Sequence, residues 1–330
     1  MRITRELLLT HAHENAERLA ARDRGIMCIY VTGSLLNEDP FLGGVTDIDL
    51  ICVHSRPVDK RREVIRLSPD VSLDLAHYEQ EAFEPARKLR TSAWLGAWLE
   101  NVPLVLYDPL RWYDFTRASA TAQIWRPENV AARARNFLVP ARKAWADLQD
   151  GAVPAGRRSV LAYLTALRDT ANGVATLTGA PLTTRRLMVD LPARANAAEM
   201  PGFYPDIIEL FTTDEVNDTN FEAWSAAYPG IFAPVMANDE NQVCFQPFRR
   251  SYYEKAIQAL YPVHPAAAVW LLLYTWTKAA VAFKKDEQPY KHWLSLCNQL
   301  GLDKGPLSAR LDPLDHLLDT AEEAVDRLTG

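Results

Sequence analysis

The sequence predicts an α+β fold, with strands confined to the first third of the chain and helices filling the rest. Three observations carry that expectation. Apolar runs of strand length at residues 26–31, 46–53 and 71–78 are separated by polar, turn-rich connections. From Pro127 onward the pattern changes to long stretches at helical spacing, punctuated by Pro and Gly. The chain has 330 residues, 48% apolar and 24% charged, which is ordinary globular composition at a length that favours two domains.

The elements follow in order. Residues 3–23 put Leu7, Leu8, Ala12, Ala16, Leu19 and Ala20 on one side of a helix. Residues 26–31 form a strand, Ser34 opens a short helix, and residues 37–44 are a loop of turn formers. A second strand runs over 46–53. Residues 58–67, with Lys60, Arg61, Arg62 and Arg66, predict a short helix, and 71–78 a third strand. Helical spacing over 79–98 predicts another helix, and residues 103–109 a fourth strand bounded by prolines. Beyond Pro127, helices are predicted over 128–149, 157–179, 182–198, 204–212, 251–261, 265–285, 289–300 and 312–328. The run 265–283 is the most apolar of these. Thr275, Thr277 and Lys278 interrupt it, and a membrane span needs about 20 apolar residues, so a buried bundle helix is expected. The Pro- and Gly-containing stretch 228–247 is the place for a sub-boundary within the helical part.

The chemistry-bearing residues sit on the strands. Asp47 and Asp49 are spaced i, i+2, so on a strand both face one way while Ile48 and Leu50 face the other. Asp74, between Leu73 and Leu75, puts a third carboxylate on a later strand. Clustered carboxylates repel unless a cation sits among them, and Asp oxygens suit Mg²⁺, which keeps waters and substrate phosphates in its shell. Gly33-Ser34, at the end of the first strand, fits the same chemistry: glycine lets the backbone approach a phosphate, and the serine adds a hydroxyl donor.

Thr32-Gly33-Ser34, the twelve residues 35–46 and then Asp47-Ile48-Asp49-Leu50 resemble the motif of the nucleotidyltransferase superfamily that includes DNA polymerase β, and in particular small bacterial aminoglycoside nucleotidyltransferases. Thr32 departs from the apolar residue usual at its position. Val71-Ser72-Leu73-Asp74-Leu75-Ala76 matches the family's later carboxylate strand. The resemblance covers residues 1–110. It implies an N-terminal nucleotidyltransferase domain over 1–118, a small mixed sheet with flanking helices, followed by an α-helical domain over 119–330 that covers the nucleotide and forms the acceptor pocket. It implies Asp47 and Asp49 as ligands of two Mg²⁺ ions, Asp74 as third ligand or base, and Gly33 and Ser34 at the phosphates. Tyr290-Lys291-His292-Trp293 resembles a C-terminal element of some bacterial relatives, and Tyr290 and Lys291 are the C-terminal candidates for the nucleotide. Arg185, Arg186, Lys284 and Lys285 are further cations suited to a triphosphate.

The implied activity is transfer of a nucleoside monophosphate from a nucleoside triphosphate, ATP first among them, to a hydroxyl of a small-molecule acceptor, with pyrophosphate released. A net charge of −6 and scattered basic residues disfavour a nucleic-acid surface and hence an RNA end-adding enzyme. A regulatory, antitoxin-like protein of the same fold, non-catalytic or modifying a protein hydroxyl, is the other alternative. The acidic stretch 213–218 and Asp239-Glu240 could meet a cationic acceptor. Cysteines 28, 52, 244 and 297 form no Cys-x-x-Cys and are expected as reduced, packed thiols. Arg2, Arg5, His11, Glu14 and Glu17 leave no apolar signal core, so a cytoplasmic, membrane-free protein is expected.

Overall fold

Strand β1 (Ile26–Thr32) is apolar on both faces because both are covered; six of its seven residues are buried. It pairs antiparallel with β2 (Thr46–His54), which in turn pairs parallel with β4 (Val71–Glu79). The edges are β3 (Arg62–Arg66), antiparallel to β4, and β5 (Val105–Tyr107), antiparallel to β1. The result is a mixed five-stranded sheet in the order β3-β4-β2-β1-β5. In this computed structural model residues 3–100, 104–232 and 245–330 are described, and the chain divides into two units, Met1–Arg126 and Pro127–Gly330.

Period-2 alternation sorts the side chains of the sheet between two cores. On one face Ile29, Val31, Ile48, Leu50, Cys52, Leu73 and Leu75 meet Leu8, Ala12 and Ala16 of helix α1 (Arg5–Arg22). Those three helix residues are spaced four apart, one stripe of an amphipathic helix, and Thr4 caps its start by accepting from the Leu7 N–H at 3.3 Å. On the other face Cys28, Tyr30, Ile51 and Val53 meet Phe83, Leu89, Leu99 and Tyr113. These come from the 3₁₀ segments Gln80–Phe83 and Ala86–Thr91, helix α2 (Leu95–Glu100) and helix α3 (Trp112–Thr121).

Two expectations need correction. Residues 58–67 are not a helix: their centre is the edge strand β3, which carries only two apolar residues, Val64 and Ile65, between charged ones. Charges on an edge guard its unpaired backbone, and they give the segment a helix-like composition. Residues 79–98 are not one helix either. Pro85 removes a donor and disfavours helical backbone at Glu84, so the chain bends through the two 3₁₀ segments and only the last turn and a half, α2, is α-helical. The strand predicted over 103–109 is β5; Pro103 lies outside the described residues.

The second unit is helical: α4 (Pro127–Gln149), α5 (Arg157–Ala175), α6 (Leu187–Ala197), α7 (Phe203–Glu209), α8 (Asp218–Ala227), α9 (Arg250–Leu260), α10 (Pro265–Ala280), α11 (Gln288–Gln299), α12 (Lys304–Ser308) and α13 (Leu311–Thr329). The spacing does not predict α3 or α8; α8 begins where an acidic loop is expected, capped by Asn217 accepting from the Asn220 N–H at 3.0 Å. Helix α4 packs on α5 and α13, and Arg142 of α4 pairs with Asp315, Asp319 and Glu322 along one face of α13. Helix α10 is 16 residues long and nearly all buried. The two threonines that interrupt it are satisfied internally, Thr275 hydrogen-bonding the Tyr228 hydroxyl at 2.7 Å and Thr277 accepting from the Trp293 indole at 2.9 Å, while Lys278 is exposed. Among the described residues no helix is long and apolar enough to cross a membrane. Asp239, Glu240, Cys244 and most of the expected sub-boundary at 228–247 lie outside the described residues.

Candidate metal centre

Parallel pairing places Asp49 directly opposite Asp74 and Asp47 opposite Ser72. Since Asp47 and Asp49 share a face of β2, the three carboxylates converge, and one oxygen from each lies within 4.8 Å of the others. They sit on the face that carries Ile51, Val53 and Ala76 further along the same strands. Asp47 and Asp74 are buried and Asp49 half-buried. Burying three carboxylates together is costly without positive charge. Hard oxygen donors aimed at one point from rigid neighbouring strands are the donor set that Mg²⁺ or Mn²⁺ takes, so the residues fit a divalent cation.

The turn after β1 shapes the rim of this cluster. Gly33 has φ +72°, and a Cβ there would stand 2.1 Å from Asp49 Oδ2. Both facts select glycine: the backbone is left-handed, and the carboxylate occupies the space of a side chain. The turn Gly33–Leu36 is pinned by Leu35, which is buried in the α1 core and whose carbonyl accepts from Arg5 Nε at 3.0 Å. Ser34 Oγ lies 3.2 Å from Thr46 Oγ1, and Thr46 Oγ1 donates to the Pro40 carbonyl at 3.1 Å. Ser34 thus fastens the turn to the start of β2, next to Asp47.

The sequence pattern does not single out Arg62. It lies on β3, diagonally across from Asp74, and donates from Nε to Asp74 Oδ1 at 2.9 Å and from Nη2 to Oδ2 at 2.6 Å. A planar guanidinium matches a carboxylate in this way. The available signal is the hairpin: Ser68-Pro69-Asp70 is a turn between Arg-Glu-Val-Ile-Arg and the Val71 strand, closed by the Leu67 and Ser68 N–H groups donating to the Val71 carbonyl at 3.0 and 3.1 Å.

The C-terminal candidates all belong to the second unit. Lys291 is exposed on α11, whereas Tyr290 is 8% exposed, packs on Trp293 and lies under the Arg157 guanidinium at 5.7 Å. Arg185 and Arg249 stack on Tyr252 at 3.9 and 4.0 Å. Trp270, Trp276 and Trp293 are core residues. In the first unit His77 shares a 2.9 Å hydrogen bond with His54, whose Nδ1 lies 3.6 Å from Asp23, on the α1 side of the sheet and away from the carboxylates.

Set against known proteins, the chain matches no protein-family model and no curated sequence.

Proposed function

We propose that this protein is a nucleotidyltransferase, which transfers a nucleoside monophosphate from a nucleoside triphosphate, ATP first among the donors, to a hydroxyl of a small-molecule acceptor. The observation that carries this reading is the convergence of Asp47, Asp49 and Asp74 beside a glycine turn that leaves the Asp49 carboxylate room.

Asp47, Asp49 and Asp74 would hold Mg²⁺, which when bound neutralises phosphate charge and favours departure of pyrophosphate. The remaining work falls to the chain's own groups. The acceptor hydroxyl oxygen forms a bond to the α-phosphorus as the bond from that phosphorus to the bridging oxygen breaks, and the electron pair leaves with pyrophosphate. A base must take the hydroxyl proton. Asp74 would take that role where it is not itself a metal ligand, but each of its oxygens accepts an N–H from Arg62, so it can serve only after Arg62 has moved. The turn at Gly33 keeps side-chain bulk away from Asp49, and the strand pairing holds the carboxylates in place without loop ordering, the preorganisation that phosphoryl chemistry needs.

Asp49→Asn keeps the volume and removes a ligand charge. Incubation with α-³²P-labelled nucleoside triphosphates and a small-molecule extract is expected to label a product with the natural protein in Mg²⁺ and to lose at least about a hundredfold of that labelling with Asp49→Asn, the scale of removing one preorganised electrostatic contact, at unchanged thermal midpoint. Equal labelling by the two proteins would refute the assignment.

A further inference from the structure

Arg62 and Asp74 are an uneven pair. The Asp74 side chain is 7% exposed and fixed in the middle of β4, while the Arg62 side chain is 57% exposed and projects from the edge strand. The fixed partner is also one of the three converging carboxylates. Arg62 therefore supplies the cluster with a cation that belongs to the chain, through a bidentate contact that a divalent cation would have to displace before using the same oxygens. Its other natural partner is phosphate, whose oxygens match the guanidinium fork as carboxylate oxygens do.

We propose that Arg62 is an exchangeable cation of this site: it neutralises Asp74 when no metal is bound, gives that carboxylate up when a divalent cation and nucleotide enter together, and then binds the phosphate chain of the nucleotide. This rests on the nucleotidyl-transfer reading above and adds a residue and a direction to it. Arg62 has two opposite effects. It weakens binding of metal alone, because it competes for Asp74, and it strengthens binding of the metal–nucleotide complex, because the released guanidinium meets phosphate.

The test is Mn²⁺ titration followed by electron paramagnetic resonance, with and without ATP, GTP, CTP and UTP in turn, on the natural protein, Arg62→Gln, Arg62→Lys and Asp49→Asn. Arg62→Gln is expected to bind Mn²⁺ alone about tenfold tighter than the natural protein and its Mn²⁺–nucleotide complex about tenfold weaker, the scale of making or breaking one charge-assisted hydrogen-bonded pair. Arg62→Lys, which keeps the charge without the fork, is expected between the two in both titrations. It also serves in place of Arg62→Gln should circular dichroism show that variant unfolded. A purely structural Arg62 would weaken both titrations together, and that result overturns the exchange. So does tighter Mn²⁺ binding with unchanged nucleotide binding, which leaves Arg62 a competitor without the phosphate contact. If Mn²⁺ binding by the natural protein is lost in Asp49→Asn while Arg62→Gln binds the metal no tighter, only the exchange fails. If no protein binds Mn²⁺ through Asp49, nucleotidyl transfer fails with it.

Discussion

An alanine at position 33 would bring its Cβ to within 2.1 Å of Asp49 Oδ2 in a backbone held at φ +72°. Two penalties combine there. A non-glycine residue in the left-handed region costs about 1–3 kcal/mol, and the carboxylate must swing away from Asp47 and Asp74. Gly33→Ala is therefore expected to lower unfolding free energy by about that amount in urea titration and to abolish Mn²⁺ binding altogether. A variant with full metal binding would show that Asp49 does not need its present place. The three carboxylates were legible from residue type and spacing, because strand alternation leaves a side chain only two directions. Arg62 was not: its partner is chosen by which strand lies beside β4, a long-range pairing that its neighbours Arg61 and Glu63 do not announce.

At the scale of elements, β1, β2 and β4 were legible because each is buried and apolar enough to show its length, whereas β3 shows two apolar residues among charges. The segment around Pro85 sends Phe83 and Leu89 into one core although residues six apart do not share a helix face, and the proline forbids a continuous helix there. The C-terminal ends of β2 and β4 add a titrating element. Burial lowers the pKa of His54, with Arg56 acting in the same sense and Asp23 opposing, and burial followed by His54 lowers that of His77; Lys60 adds to the lowering at His77, and Glu63 and Asp23 oppose it. Unfolded, both titrate at about 6.5. Below that pH the unfolded chain binds more protons, so stability falls as pH drops from about 6.5 through the folded values. Asp23 acts in another window. Burial raises its pKa, but the Gly25 N–H and Arg56 outweigh that and the net shift is downward, so its contribution is present above about pH 4 and is lost as acid protonates it in the folded state. Urea midpoints between about pH 5 and 8 are expected to slope downward toward acid, and His77→Gln to flatten that slope while leaving the lower-pH loss. A slope unchanged by His77→Gln would mean that other groups set it.

At the scale of the molecule, all residues of the candidate centre come from the first unit, Met1–Arg126. Gly33, Asp47, Asp49, Arg62 and Asp74 are held by β1 to β4 and by α1, and none depends on a second-unit residue in the hydrogen bonds described above. Residues 1–126 expressed alone are expected to bind Mn²⁺ within about threefold of the full chain, since the fixed strand register and not the second unit sets the ligand geometry. Loss of binding in a folded fragment would show that the second unit completes the centre. Tyr290 and Lys291, on α11, become testable by the same comparison made with nucleotide.

Among the described residues three cysteines are buried, Cys28 and Cys52 in the sheet and Cys297 on α11. Burial pushes Cys52 up to about 12 and raises Cys28 and Cys297 as well, so these thiols react with a disulfide reagent only when the surrounding structure opens. The chain therefore carries its own clocks for local opening, two in the sheet of the first unit and one in the helical part. With Cys244 replaced by serine, modification rates at these three sulfurs would report how often each unit breathes, and whether ligand quiets the sheet alone or both.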